Sequence, residues 1–118
     1  MLKLAKKIKK GKPADCTFDK TFENQKLGIE MLMCCNMNKR DYLIGPEVGV
    51  DQCVIVHPTA PHYLFNPHLK TETYVLPEDR DTELSREVFY YADYMGREVI
   101  YNDPPDYLLE ALEKLNAK

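Results

Sequence analysis

The stretch "DYLIGPEVGVDQCVIV", residues 41–56, decides how this chain is read. It opens on a polar turn, bends at Gly45-Pro46, and closes on "CVIV" (53–56), a β-branched run that reads as a buried strand. Upstream, Phe22, Leu27, Ile29, Leu32, Met33 and Met37 recur at a spacing that predicts a helix from Phe22 to about Asn36 with a broad apolar face. Asp19 or Thr21 is placed to cap it, and the polar run "NMNKRD" ends it. Downstream the period shortens. "HYLF" (62–65) and "TETYVL" (71–76) read as strands, the second half-buried, and "PEDRDTELSR" (77–86) as a solvated loop.

The clearest hairpin is "EVFYYADYMGREVIYN" (87–102), two strands around a turn near Tyr94-Met95-Gly96-Arg97 in which Gly96 supplies a permissive backbone. Pro104-Pro105 then open a last helix, with Asp103 or Asp106 as cap and Leu108, Leu109, Leu112 and Leu115 on its apolar face. Helix, strands, helix in that order predict a single α+β domain over residues 21–118.

Residues 1–20 read as a basic N-terminal arm, irregular apart from a short amphipathic turn carrying Leu4 and Ile8. Six lysines, Lys3, Lys6, Lys7, Lys9, Lys10 and Lys12, stand in its first twelve residues without an acid. The remaining chain carries 10 basic against 19 acidic residues, so a formal net charge of −3 conceals a polar distribution. No apolar run approaches the roughly 20 residues of a membrane span, and no apolar core follows the lysines as in a secretory leader. Cys16, Cys34, Cys35 and Cys53 show no CxxC spacing, so they read as reduced thiols of a cytoplasmic protein that pack as small apolar residues.

Taken together, these segments resemble the peptide deformylases, which remove the formyl group from new bacterial polypeptides. In that family a Leu/Met-rich helix leads into G-x-G-[hydrophobic]-A-A-x-Q, usually followed by "VGV" and a strand. "IEMLMCCNMNKRDYLIGPEVGVDQCVIV" has that layout. "YLFNPHL" (63–69) stands where the family has a phrase like "LINPEI", "ADYMGREVIY" (92–101) where it has a D-x-x-G-x-x-V turn, and "YLLEALEKL" (107–115) where it has "LLARALQHE". The similarity runs from about residue 26 to 115. It implies a deformylase-like α+β fold with an N-terminal helix, antiparallel or mixed strands, a hairpin at 87–102 and a C-terminal helix.

The resemblance also implies where chemistry should sit, and there the chain departs from it. The family holds a divalent metal with the Cys of E-G-C-L-S and the two histidines of H-E-x-x-H, whose Glu is the general base. The last helix here has no His, and the family's His-Glu falls on Lys114 and Leu115. The metal Cys falls near Tyr74, the motif glycines on Arg40 and Tyr42, and the oxyanion-stabilising Gln on Glu47, whose carboxylate would repel a developing oxyanion. The expected former pocket is therefore Tyr42, Gly45, Glu47 and Tyr74, with no catalytic residue, metal or cofactor.

Other clusters have plainer readings. His57, His62 and His68 match no zinc spacing and sit among prolines. Glu72, Glu78, Asp79, Asp81 and Glu83 read as a solvated acidic loop. Phe89, Tyr90, Tyr91, Tyr94 and Tyr101 read as core and cross-strand pairs, rather than as a platform for bases. The expectation is a non-catalytic deformylase-like domain acting as a binding or structural subunit of a larger assembly, a viral one included. Its partners are other protein subunits. Lys3, Lys6, Lys7, Lys9 and Lys10 offer a contact for them; nucleic acid is the less favoured partner of this arm, and no small-molecule substrate is expected. The alternatives are a metal-dependent hydrolase with a rebuilt site drawn from the histidines and cysteines, and an unrelated small α+β protein that modulates a partner.

Overall fold

A computed structural model describes residues 2–8 and 11–116. Helix α1 (Thr21–Met37) is followed by β1 (Leu43–Ile44), a 3₁₀ turn (Gly45–Val48), β2 (Val54–Val56), β3 (Tyr63–Leu76), β4 (Asp79–Ala92), β5 (Glu98–Tyr101) and helix α2 (Asp106–Asn116). The strands form one antiparallel sheet in the order β1-β2-β3-β4-β5. The α+β expectation holds.

The short central strands are apolar throughout because helices cover both faces of the sheet. Leu43, Val54, Val56 and Phe65 pack on one side with Met31, Cys34 and Cys35 of α1. Ile44, Ile55 and Leu64 alternate to the other side and meet Leu108, Ala111, Leu112 and Leu115 of α2. The α2 face was read correctly at Leu108, Leu112 and Leu115 but not at Leu109, which is exposed while Ala111 is buried; the α1 face was not read correctly. Its buried positions are Asn24, Gly28, Met31, Cys34 and Cys35, while Phe22, Ile29, Met33 and Met37 face outward. Small residues win because the helix lies close to the sheet: a Cβ on Gly28 would stand 2.9 Å from the Tyr63 ring. Lys20 occupies the N-cap position, without a side-chain cap from Asp19 or Thr21.

The segment expected to be a loop at 77–86 is strand. "HYLF" and "TETYVL" join into β3 through an irregularity at Asn66-Pro67, and a tight turn at Pro77-Glu78 leads directly into β4. β2 pairs with β3 only over Tyr63–Phe65, and β5 with β4 only over Phe89–Ala92. Residues 69–87 therefore leave the body as a two-stranded arm, which accounts for an extent of 55 × 27 × 25 Å. With both faces in water, the arm needs no apolar alternation, so its sequence looks like a loop. The expected hairpin at 87–102 is present as β4–β5. Its turn is held by the Asp93 carboxylate, which accepts the Met95 and Arg97 N–H groups at 2.9 and 3.0 Å.

The N-terminal segment is laid along the domain as a strap. The Ala5 N–H donates to the Glu47 carbonyl at 2.8 Å, and Ala14 bridges Gln52. The Asn66 side chain clasps Cys16 twice, accepting its N–H at 2.6 Å and donating to its carbonyl at 3.0 Å. Residues 2–8 are not helical. Lys3, Lys6, Lys7 and Lys12 are exposed along the strap; Lys9 and Lys10 lie outside the described residues.

Candidate functional site

The region that the sequence singles out is built on the link from α1 to β2. The Asn38 side chain donates to the Cys34 carbonyl at 2.8 Å and the Arg40 N–H to the Cys35 carbonyl at 3.0 Å, turning the chain off the helix. Two residues of β1 follow, and then the chain must fold tightly at Gly45. A Cβ there would lie 2.4 Å from the Gln52 carbonyl oxygen, so only glycine fits. Pro46 starts the 3₁₀ turn and Gly49 ends it at φ 77°.

Glu47 is buried in this turn and spends both carboxylate oxygens locally. One accepts the Ile44 N–H at 3.1 Å, the other the Arg40 guanidinium at 2.5 Å. The result is a neutralised, charge-assisted clasp across seven residues. The Glu47 side chain is 9% exposed and that of Arg40 34%, so the pair sits at the edge of the core with the guanidinium reaching water.

Behind the clasp the space is filled by aromatic rings. Tyr42 stacks on Tyr107 of α2 with centroids 6.0 Å apart and planes 7° off parallel. His57, fully buried, meets the edge of Tyr107 at 5.7 Å. Its Nδ1 lies 2.8 Å from the Tyr107 hydroxyl and its Nε2 2.7 Å from the Pro61 carbonyl. A carbonyl can only accept, so Nε2 carries the proton and Nδ1 accepts from the tyrosine. Burial lowers the His57 pKa from its ordinary 6.5, opposed in part by the Pro61 bond, and keeps the ring neutral. The Lys114 ammonium sits 5.1 Å from the centre of the Tyr42 ring. Among the described residues the buried Tyr42 hydroxyl has no partner within hydrogen-bond geometry, although the Lys114 ammonium stands close enough for the tyrosine to raise its pKa.

Of the four residues expected to share a pocket, Tyr42, Gly45 and Glu47 are brought together. Tyr74 is not: it lies out on the arm, paired with Leu84 and 46% exposed. The correction follows from the long hairpin, which carries the "ETYVLP" segment away from the body. The three histidines do not converge: His57 and His62 are neighbours through their backbones, and His68 stands apart on β3. His62 Nδ1 lies 3.3 Å from the His57 carbonyl, and His68 bonds the Asn66 carbonyl and Glu98 while stacking on Tyr90. Sequence reasoning missed Tyr107, considered His57 only as a metal ligand, and placed Arg40 on a motif glycine without pairing it to Glu47. Arg40 alone had a visible signal, a long cation where the motif has glycine.

Among the described residues, no group of three His, Cys, Asp or Glu is placed to hold a metal ion. The side chains at the heart of this region, a cation at 114 and the fully apolar environment of Leu115, do not fit a divalent metal. Burial pushes the Cys16 thiol up to about 12, and it raises those of Cys35 and Cys53 as well, so these sulfurs stay protonated near neutrality.

The fold is that of peptide deformylases. A class I type b peptide deformylase from Acinetobacter baumannii superposes with a TM-score of 0.67 at 15% identity, over 99% of this chain and 94% of that one. The enzyme from the Vibrio parahaemolyticus bacteriophage VP16T, solved with actinonin, gives 0.64 at 15% identity, covering 93% and 96%. A probable peptide deformylase from synechococcus phage S-SSM7 gives 0.64 at 17%, covering 92% and 93%. By sequence, no family model and no curated protein matches the chain. Among the described residues, no helix is long and apolar enough to cross a membrane.

Proposed function

We propose that this chain is a deformylase-fold protein that acts as a binding or structural subunit, not as a hydrolase. The observation that carries the reading is the Arg40–Glu47 clasp. In the register of the resemblance, Glu47 stands at the position of the family's oxyanion-stabilising Gln and Arg40 at that of its first motif glycine. A carboxylate engaged by a guanidinium and a backbone N–H has no hydrogen to offer a developing oxyanion. Three further features point the same way. Tyr42 and Tyr107 stack where a substrate would need room. In the same register of the resemblance the family's His-Glu falls on Lys114, beside the Tyr42 ring, and on the buried Leu115. His57 has both nitrogens committed. With the pocket closed, function falls to the surface: the exposed strap, the uncovered side of α1 and the projecting arm. Two of the structural neighbours come from phages, which accords with a subunit of a viral assembly working in the host cytoplasm.

The test is metal stoichiometry on the full chain, purified without chelator and offered Fe²⁺, Ni²⁺ and Zn²⁺ in turn. The reading expects sub-stoichiometric metal in each case. One tightly held ion per chain, lost on mutation of His57, would overturn it in favour of a rebuilt metal site.

A further inference from the structure

Helix α1 leaves an apolar stripe uncovered. Phe22, Ile29, Met33 and Met37 are 76%, 43%, 46% and 66% exposed and fall on one side of the helix. At the C-terminal end of the stripe, Leu2 and Leu4 of the strap stand beside Met37 and wall a shallow groove with Lys3 on its margin. Lys6, Lys7 and Lys12 are exposed along the same strap. Scattered apolar residues on a surface are ordinary; here they line one side of a helix, with Lys26 between Phe22 and Ile29, Glu23 and Glu30 on the flanks, and Lys3 at the Met37 end.

The arm carries the complementary features. Tyr74 and Leu84 form a cross-strand pair on one of its faces, 46% and 36% exposed. Beyond them the turn bears Glu78, Asp79, Asp81 and Glu83, all exposed, against a single opposing charge, Arg80. The stripe from Phe22 to Met37 is about 22 Å long at helical rise, and the free part of β3, residues 69–76, is about 23 Å at strand rise. A two-stranded ribbon with both faces wet is marginal by itself and gains stability from any surface that covers one face.

We propose that the arm of one copy docks along the α1 stripe of a second copy. Tyr74 and Leu84 meet Met33 and Met37, and the acidic turn meets Lys3, which stands at the Met37 end of the stripe. The occupant is another copy of this chain because apolar faces, opposite charges and lengths all match between two surfaces of one sequence. The contact is heterologous: it closes into a dimer when reciprocated and extends into a chain when not. The interface is small, so association is expected at about 10–100 µM, at the weak end of specific contacts. Salt weakens it by screening the lysine–acid pairs. The inference uses only surface groups and holds whether or not the pocket is catalytic.

Sedimentation equilibrium on the full chain tests it, from micromolar to about 500 µM, in low and high salt. Wild type is expected to associate reversibly, more strongly at low salt. An arm variant (Tyr74→Ser with Leu84→Ser) and a groove variant (Met33→Ser with Met37→Ser) should each raise the dissociation constant at least ~10-fold. Mixing the two should restore a complex, because each retains the surface the other has lost. Circular dichroism confirms that both are folded, since all four residues are exposed. A wild-type chain that stays monomeric throughout would overturn the proposal. So would variants that associate like wild type, a mixture that does not pair, or association that appears only when nucleic acid is added.

Discussion

Removing the guanidinium of the clasp tests the account of the pocket at its centre. Arg40→Ala leaves the Glu47 carboxylate, 9% exposed, with only the Ile44 N–H as partner. Stranding a buried carboxylate costs about 3–5 kcal/mol when its partner is equally buried. Here Arg40 is one-third exposed, so water takes over part of the solvation, and about 2 kcal/mol is the expected loss. For a domain of this size that lowers Tm by roughly 8 °C. Glu47→Gln introduced into the Arg40→Ala background removes the stranded charge while its amide oxygen still accepts the Ile44 N–H. The double variant should therefore recover about half of the loss. Urea unfolding followed by far-UV circular dichroism at neutral pH reads all the variants. An Arg40→Ala protein as stable as wild type, or a double variant no better than the single one, would refute the clasp.

Three other outcomes follow from the same geometry. Because burial depresses the His57 pKa, the unfolded chain binds a proton below about pH 6.5 that the folded chain refuses. Stability should fall as pH drops from 6.5 through the lower folded value, and His57→Gln should flatten that slope in urea titrations at stepped pH. Tyr42→Phe removes a buried hydroxyl with no partner in hydrogen-bond geometry among the described residues, so it should leave stability unchanged or raise it by up to about 1 kcal/mol; a loss of similar size would show that Lys114 bonds it. Gly45→Ala drives a methyl against the Gln52 carbonyl and should cost about 3 kcal/mol or more. Gly28→Ala meets only the movable Tyr63 ring and should cost less in the same melts.

How much of this the sequence discloses depends on what each segment packs against. "CVIV" was legible because both faces of β2 are covered, and α2 because its leucines point to one side of the sheet. The arm was not legible, since pairs such as Thr71↔Glu87 and Thr73↔Ser85 have no core to face and carry no apolar period. Helix α1 misled for the opposite reason: its close approach to the sheet selects Gly28, Cys34 and Cys35 inward and leaves its large apolar residues outside. The Gly45 turn and Glu47 were visible in the motif, whereas Tyr74 was misplaced because nothing local reports the length of a hairpin. His57 and Tyr107 come together only through long-range packing that no spacing rule encodes, whereas Arg40 reaches Glu47 across seven residues. The lysines were read as part of an irregular basic arm, and nothing in their spacing reports the Asn66 clasp on Cys16 that ties their segment to the domain.

The most direct measurement of the central claim is hydrolysis of a formyl-Met-Ala-Ser peptide by the full chain, supplemented with each of Fe²⁺, Ni²⁺ and Zn²⁺. A pocket closed as proposed predicts turnover indistinguishable from that of the metal ions alone. Metal-dependent turnover that copurifies with the chain and is abolished by chelator would contradict it, and would mean that the Arg40–Glu47 clasp opens to admit substrate.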